Sequence, residues 1–211
     1  MIFLLKFRRD IIYRESVNEW LNAVKNMEKK LANPAPLGLL GFGMTTILLN
    51  IHNLGFFPVS GVIISMGLFY GGLAQIVAGI LSYKQGKTFA GTAFTSYGFF
   101  WITLVGIWLF PNTDFEMAGA TPAPFFGCYL ILWGTFTALM WWGTWGGSKV
   151  QQFVFLSLTV LFFVLAISKF TGSEFINQIG GAIGVICGGS AFYLAMAELL
   201  EEVKNKRVLP Y

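Results

Sequence analysis

The sequence predicts an all-α integral membrane protein, a bundle of six transmembrane helices with both termini on the cytoplasmic side. Three observations carry that prediction. Only 11% of the 211 residues are charged, against roughly 25% in a soluble domain; 55% are hydrophobic, 17% are aromatic and the mean hydropathy is +0.67. The apolar residues gather into runs of about 20, the length that crosses a bilayer as a helix. All but Lys169 of the 14 Lys and Arg residues fall in the leader, in alternate loops or in the tail, and such an excess marks the cytoplasmic face.

Residues 1–32 form a charged leader. Between Asp10 and Lys30 the apolar residues Ile11, Ile12, Val17, Trp20, Leu21, Val24 and Met27 recur at near-helical spacing, which predicts an amphipathic helix on the cytoplasmic leaflet. A natural start at Met27 is the other reading, and the sequence leaves both open. Next comes Asn33-Pro34-Ala35-Pro36-Leu37-Gly38-Leu39. Two prolines so close cannot both lie inside a helix, but a first turn tolerates them because its N–H groups have no intrahelical partner. With Asn33 as the N-cap and Pro34 at the first helical position, the segment is expected to be a rigid lip from which the first span enters the membrane.

The membrane domain, 33–200, places its spans near Leu37–Phe57, Gly61–Tyr83, Thr88–Phe110, Phe125–Trp145, Val150–Ser168 and Ile176–Leu200. Phe57-Pro58, Lys84 to Lys87, Pro111 to Pro124, Gly146 to Lys149 and Lys169 to Glu174 break the runs. The short loops predict that consecutive helices pack as antiparallel neighbours. The longest connection, with Asp114 and Glu116, is expected to be an exposed crossing loop. Residues 201–211 make a cytoplasmic tail. A multi-pass protein of the cell (inner) membrane follows.

Two stripes of small residues stand out: Gly67-x-x-x-Gly71 with Gly72, Ala74, Ala78 and Gly79, and Gly180-x-x-x-Gly184-x-x-x-Gly188 with Ala191 and Ala195. Such stripes let helices approach closely, either within one subunit or between the subunits of a cyclic oligomer. Catalysis finds no footing. There is no phosphate loop, no nucleophile beside a base and no intramembrane carboxylate pair, so the chain is not expected to be an enzyme or to need a cofactor. His52 is the only histidine, which leaves no multi-histidine metal site, and its expected place is the membrane interface. Cys128 and Cys187 read as buried free thiols. No basic stripe interleaved with aromatics offers a nucleic-acid groove.

What remains is polar side chains inside apolar spans, which must face protein or water. The first, third and fifth spans share a pattern: Phe42-Gly43-Met44-Thr45-Thr46 and then Asn50; Phe94-Thr95-Ser96-Tyr97-Gly98; Phe155-Leu156-Ser157-Leu158-Thr159. Converging, they would form a hydrophobic waist flanked by hydroxyls, although each hydroxyl could instead bond its own helix carbonyl. A pore without fixed charge suits a small protonatable or weakly charged solute. Glu198, followed by Glu201 and Glu202, is expected at a solvated helix end.

The lip and its continuation, Gly41-Phe42-Gly43-Met44-Thr45-Thr46, resemble the signature of the acetate uptake transporter family. Phe69-Tyr70-Gly71-Gly72-Leu73-Ala74-Gln75, Thr92 to Gly98, Gln152 to Thr159 and Ala191-Phe192-Tyr193-Leu194-Ala195-Met196 are similar to the same family. The resemblance runs from Leu31 to about Pro210. It implies six spans per subunit, a homo-hexamer in the lipid bilayer, and one pore per subunit for acetate, succinate and related short carboxylates. It places the constriction at Phe42, Tyr97 and Leu158, with the small Ala191 beside it, and the cytoplasmic mouth at Asn33–Leu39. Thr46, Asn50 and Gln75, with the hydroxyls Thr95, Ser96 and Thr159, are the expected solute contacts. A channel for a neutral solute, and a scaffold or enzyme subunit with no pore, are the alternatives.

Overall fold

The computed structural model describes Val17 and residues 32–112 and 119–211. The predicted leader helix, the Met27 start and the Asp114 and Glu116 loop lie outside the described residues. All six spans are helices: α1 Ala35–Asn53, α2 Gly61–Lys84, α3 Thr88–Leu109, α4 Ala123–Gly143, α5 Lys149–Thr171 and α6 Glu174–Lys204, each long and apolar enough to cross a bilayer.

Prolines and glycines set the ends. α1 begins at Ala35 rather than Leu37, with Pro34 as its N-cap (φ −82°, ψ −10°) and Pro36 in the first turn. Asn33 therefore sits one position outside the cap expected for it. It still satisfies an orphan donor, because its Oδ1 accepts from the Ala35 N–H at 3.1 Å. α4 starts the same way, at Ala123 behind Pro122, with Pro124 in its first turn. α1 stops at Asn53, short of Phe57, because Gly55 turns the chain with φ +91°, a left-handed conformation that costs glycine nothing. α5 is capped by Ser148, whose Oγ accepts from the Gln151 N–H at 3.3 Å. Ser148→Ala is expected to cost about 1 kcal/mol and to lower the thermal midpoint by about 2–4 °C, read by tryptophan fluorescence in detergent.

At 31 residues, α6 is roughly 46 Å long and outruns a hydrocarbon core of about 30 Å. The chain then folds back onto it. Tyr211 OH donates to Glu201 Oε2 at 2.7 Å and Tyr193 OH donates to the Pro210 carbonyl at 2.7 Å. The Glu201 carboxylate holds the Tyr211 phenol proton in place and raises it above its ordinary range.

α2 is not uniform. Between α-helical Gly61–Ser65 and Gln75–Lys84 the stretch Met66–Ala74 is a π-helix. Its wider turns bring backbone against α3, and only glycine leaves the room. A Cβ at Gly67 would stand 2.8 Å from Val105 Cγ2, and one at Gly71 would stand 2.9 Å from Trp101 Cγ. The second stripe works likewise. A Cβ at Gly43 would lie 2.7 Å from the Gly188 carbonyl oxygen, and a Cβ at Gly188 would lie 2.7 Å from that of Gly43, so α1 and α6 meet backbone to backbone. Both stripes are taken up inside the subunit.

Packing runs α3–α2–α1–α6–α5–α4. α3 and α4 meet through large rings: Tyr97 lies 6.2 Å from Trp133 and 5.6 Å from Phe136, and Phe100 lies 5.2 Å from Trp133, centroid to centroid. The space enclosed holds the site.

Candidate functional site

Two cavities meet inside the bundle. The one nearer the lip has a volume of about 80 Å³ and is lined by Ala35, Leu39, Gln75, Phe89, Gln151 and Glu198 among others. The far one, of about 120 Å³, is lined by Thr46, Asn50, His52, Asn53, Trp101, Lys169 and Asn177 among others. Phe42, Tyr97 and Leu158 line both. Each is at most 7% exposed, and the rings of Phe42 and Tyr97 are 6.0 Å apart at 47°. Side chains from α1, α3 and α5 thus form the boundary between the two spaces.

That boundary is held from behind. Tyr97 OH donates to Thr137 Oγ1 at 2.9 Å, and the Thr137 hydroxyl is oriented by its own bond to the Trp133 carbonyl at 2.7 Å. The phenol is therefore committed to α4. Ala191, fully buried, belongs to the same core as Phe42, 3.4 Å from where a Gly43 Cβ would be, and lines neither cavity.

The far cavity carries a ladder of amides. Asn50 Nδ2 donates to the Thr46 carbonyl at 2.8 Å, Asn53 Nδ2 to Asn50 Oδ1 at 3.0 Å, Asn177 Nδ2 to the Asn53 carbonyl at 2.9 Å, and Lys169 Nζ to Asn177 Oδ1 at 3.3 Å. Two buried donors in its wall, the Thr46 hydroxyl and the Trp101 indole N–H, have no partner among the described residues. A buried donor left unpaired costs about 1–3 kcal/mol, so both are poised for water or a solute oxygen. Its described lining includes the cation of Lys169 and no carboxylate. On the lip side Gln75 Oε1 is likewise buried without a partner among the described residues. Beyond the far cavity a vestibule of about 540 Å³ opens, and His52, Asn53, Lys169 and Asn177 line it too.

Of the expected contacts, Thr46 and Asn50 face the far cavity and Gln75 faces the lip cavity. Thr95, Ser96 and Thr159 line neither. The Thr95 hydroxyl points at the α2–α3 contact, where a Cβ on Gly79 would collide with it. Thr159 bonds the Phe155 carbonyl at 2.8 Å and Ser157 bonds the Phe153 carbonyl at 2.7 Å, the self-contained alternative open to any helical hydroxyl. The convergence of hydroxyls from three spans is thereby corrected: α1 supplies one, and α3 and α5 supply ring and apolar side chains instead. In the lip, Ala35 and Leu39 face the cavity, while Pro34, Pro36 and Gly38 are buried and Leu37 points outward.

Glu198 is a second correction. Instead of standing in a solvated end it lines the lip cavity and accepts from Asn33 Nδ2 at 3.3 Å. Sequence reasoning missed Trp101, Asn53, Lys169 and Asn177 and left His52 at the interface. Lys169 had a signal, as the one basic residue on the wrong side of the charge asymmetry.

A family model described as the GPR1/FUN34/yaaH family matches residues 18–210, beginning upstream of the expected Leu31. The chain is 59% identical over 181 residues to the succinate-acetate/proton symporter SatP of Escherichia coli (strain K12), covering 86% of this chain and 95% of that one. It is 34% identical over 178 residues to the ammonia transport outward protein 2 of Saccharomyces cerevisiae, covering 80% of this chain and 61% of that one. A solved structure of the bacterial acetate channel SatP superposes with a TM-score of 0.84 at 59% identity, covering 86% of this chain and 99% of that one.

Proposed function

We propose, from the premise that the chain belongs to the GPR1/FUN34/yaaH family, that it carries acetate and related short carboxylates across the cell membrane through a pore within each subunit. The observation that carries this is the meeting of two polar-ended cavities on the same three side chains, Phe42, Tyr97 and Leu158. These form the waist, with Ala191 as its small backing. Thr46, Asn50 and Trp101 receive the carboxylate on one side and Gln75 on the other. The gathering of these three side chains between the two cavities supports a path through the subunit over a poreless scaffold. The protein acts by passage and not by catalysis, and is a multi-pass protein of the inner membrane.

Labelled acetate entering proteoliposomes faster than protein-free vesicles is the expected result, and equal rates would overturn the proposal. Repeating the assay with and without an inside-alkaline pH gradient separates proton-coupled transport, which accumulates acetate with the gradient, from a channel driven by acetate alone. The excess of basic residues supports a cytoplasmic side for both termini and the lip, and cleavage of a C-terminal tag in right-side-out vesicles would contradict that. A homo-hexamer is the expected assembly, to be read as a subunit multiple by light scattering in detergent.

The uncharged waist favours a second reading, passage of a neutral solute such as ammonia or the undissociated acid. Bilayer recordings under an acetate gradient separate it from an acetate channel, because a neutral solute carries no current.

A further inference from the structure

The threshold between the vestibule and the far cavity consists of Lys169, Asn177, Asn53 and His52, the four residues common to both spaces. Lys169 is half-buried in the last turn of α5. Its ammonium has three donors and spends one on the Asn177 amide oxygen. That oxygen also accepts from Ser168 Oγ at 3.3 Å, while the Asn177 nitrogen is tied to the Asn53 carbonyl at 2.9 Å. Asn177 is thus fixed from three sides and holds the ammonium at the mouth of the narrower space. Among the described residues no carboxylate lies within ion-pair distance of Lys169, although Glu174 lines the same vestibule. His52 Nδ1 is engaged with the Phe57 carbonyl at 2.6 Å.

We propose that Lys169 forms a carboxylate-capture site, positioned by Asn177, that admits anions to the far cavity before they reach the waist. This deepens the transport reading and rests on it. A cation at the neck of a low-dielectric cleft focuses its field and concentrates counter-charged solute. The ladder Asn177–Asn53–Asn50–Thr46 then offers successive polar groups from the threshold inward, none binding so tightly that release fails. Because Coulomb attraction scales with charge, the site favours a dicarboxylate over a monocarboxylate.

The test compares Lys169→Gln and Lys169→Arg with wild type in proteoliposomes, using labelled acetate and labelled succinate. Lys169→Gln is expected to raise the KM for acetate about tenfold and that for succinate further, with maximal rates within about twofold of wild type. Lys169→Arg is expected to restore both KM values. Added salt should raise the wild-type KM and leave that of Lys169→Gln nearly unmoved. An unchanged KM in Lys169→Gln, or equal loss of maximal rate in the Gln and Arg variants, would overturn the capture site. Wild-type flux no faster than protein-free vesicles would overturn the transport reading itself, so the two failures are told apart.

Discussion

Tyr97→Ala is expected to let the pore pass solutes that wild type excludes. Tyr97 is 3% exposed, packed 6.0 Å from Phe42 and 6.2 Å from Phe155, and anchored to Thr137 through its hydroxyl. Removing the ring merges the two cavities it separates and leaves Phe42 without its opposing face. Benzoate flux into proteoliposomes should rise at least about tenfold over wild type, the discrimination that a pocket loses with even a small change in fit. The same change deletes a core ring, which costs about 3–5 kcal/mol, so the thermal midpoint should fall as the pore widens. Tyr97→Phe separates the effects. It keeps the ring and loses one bond, worth about 1 kcal/mol, so it should stay selective. Benzoate flux at background in folded Tyr97→Ala would remove Tyr97 from the waist.

Gly43→Val is expected to destabilise the fold without touching the pore surface. The new Cβ would meet the Gly188 carbonyl oxygen at 2.7 Å and the Phe192 nitrogen at 2.9 Å. Both are α6 backbone atoms and cannot rotate aside, so α1 and α6 must separate along their most extensive contact. Overpacking of this kind costs about 3 kcal/mol or more, a fall of about 10 °C in thermal midpoint for a chain of this size. Gly61→Ala is the control, because nothing lies within 4 Å of its added Cβ. Equal melting of the two variants would show that the α1–α6 approach is not limiting.

The spans were legible because a bilayer demands long apolar runs and the breakers between them are prolines, glycines and charges. Helix ends were less so. Asn33 is a good cap by type, but Pro34 takes helical angles itself and shifts the start by one. The π-helix from Met66 to Ala74 left no mark in hydropathy, since one apolar stripe serves either hydrogen-bond register. The waist residues came from likeness to a family, and periodicity alone could not have chosen Tyr97 over its neighbours. Thr159 and Trp101 show why the rest was hidden. A helical hydroxyl has a partner waiting four residues back, while an indole N–H has none and must face something, and only the packed bundle shows which is which.

Because Phe42 and Leu158 bring only carbon to the waist and the Tyr97 hydroxyl is spoken for, a solute crossing it must shed its hydration there. The Thr46 hydroxyl and Trp101 N–H on one side, and the Gln75 amide on the other, can replace part of that shell but not at the narrowest point. The barrier then follows the cost of dehydrating a carboxylate more than the bulk of the molecule behind it. A smaller and more strongly hydrated anion such as formate gains little from its size, and within the limit set by the rings, the pore sorts its solutes by how firmly they hold water.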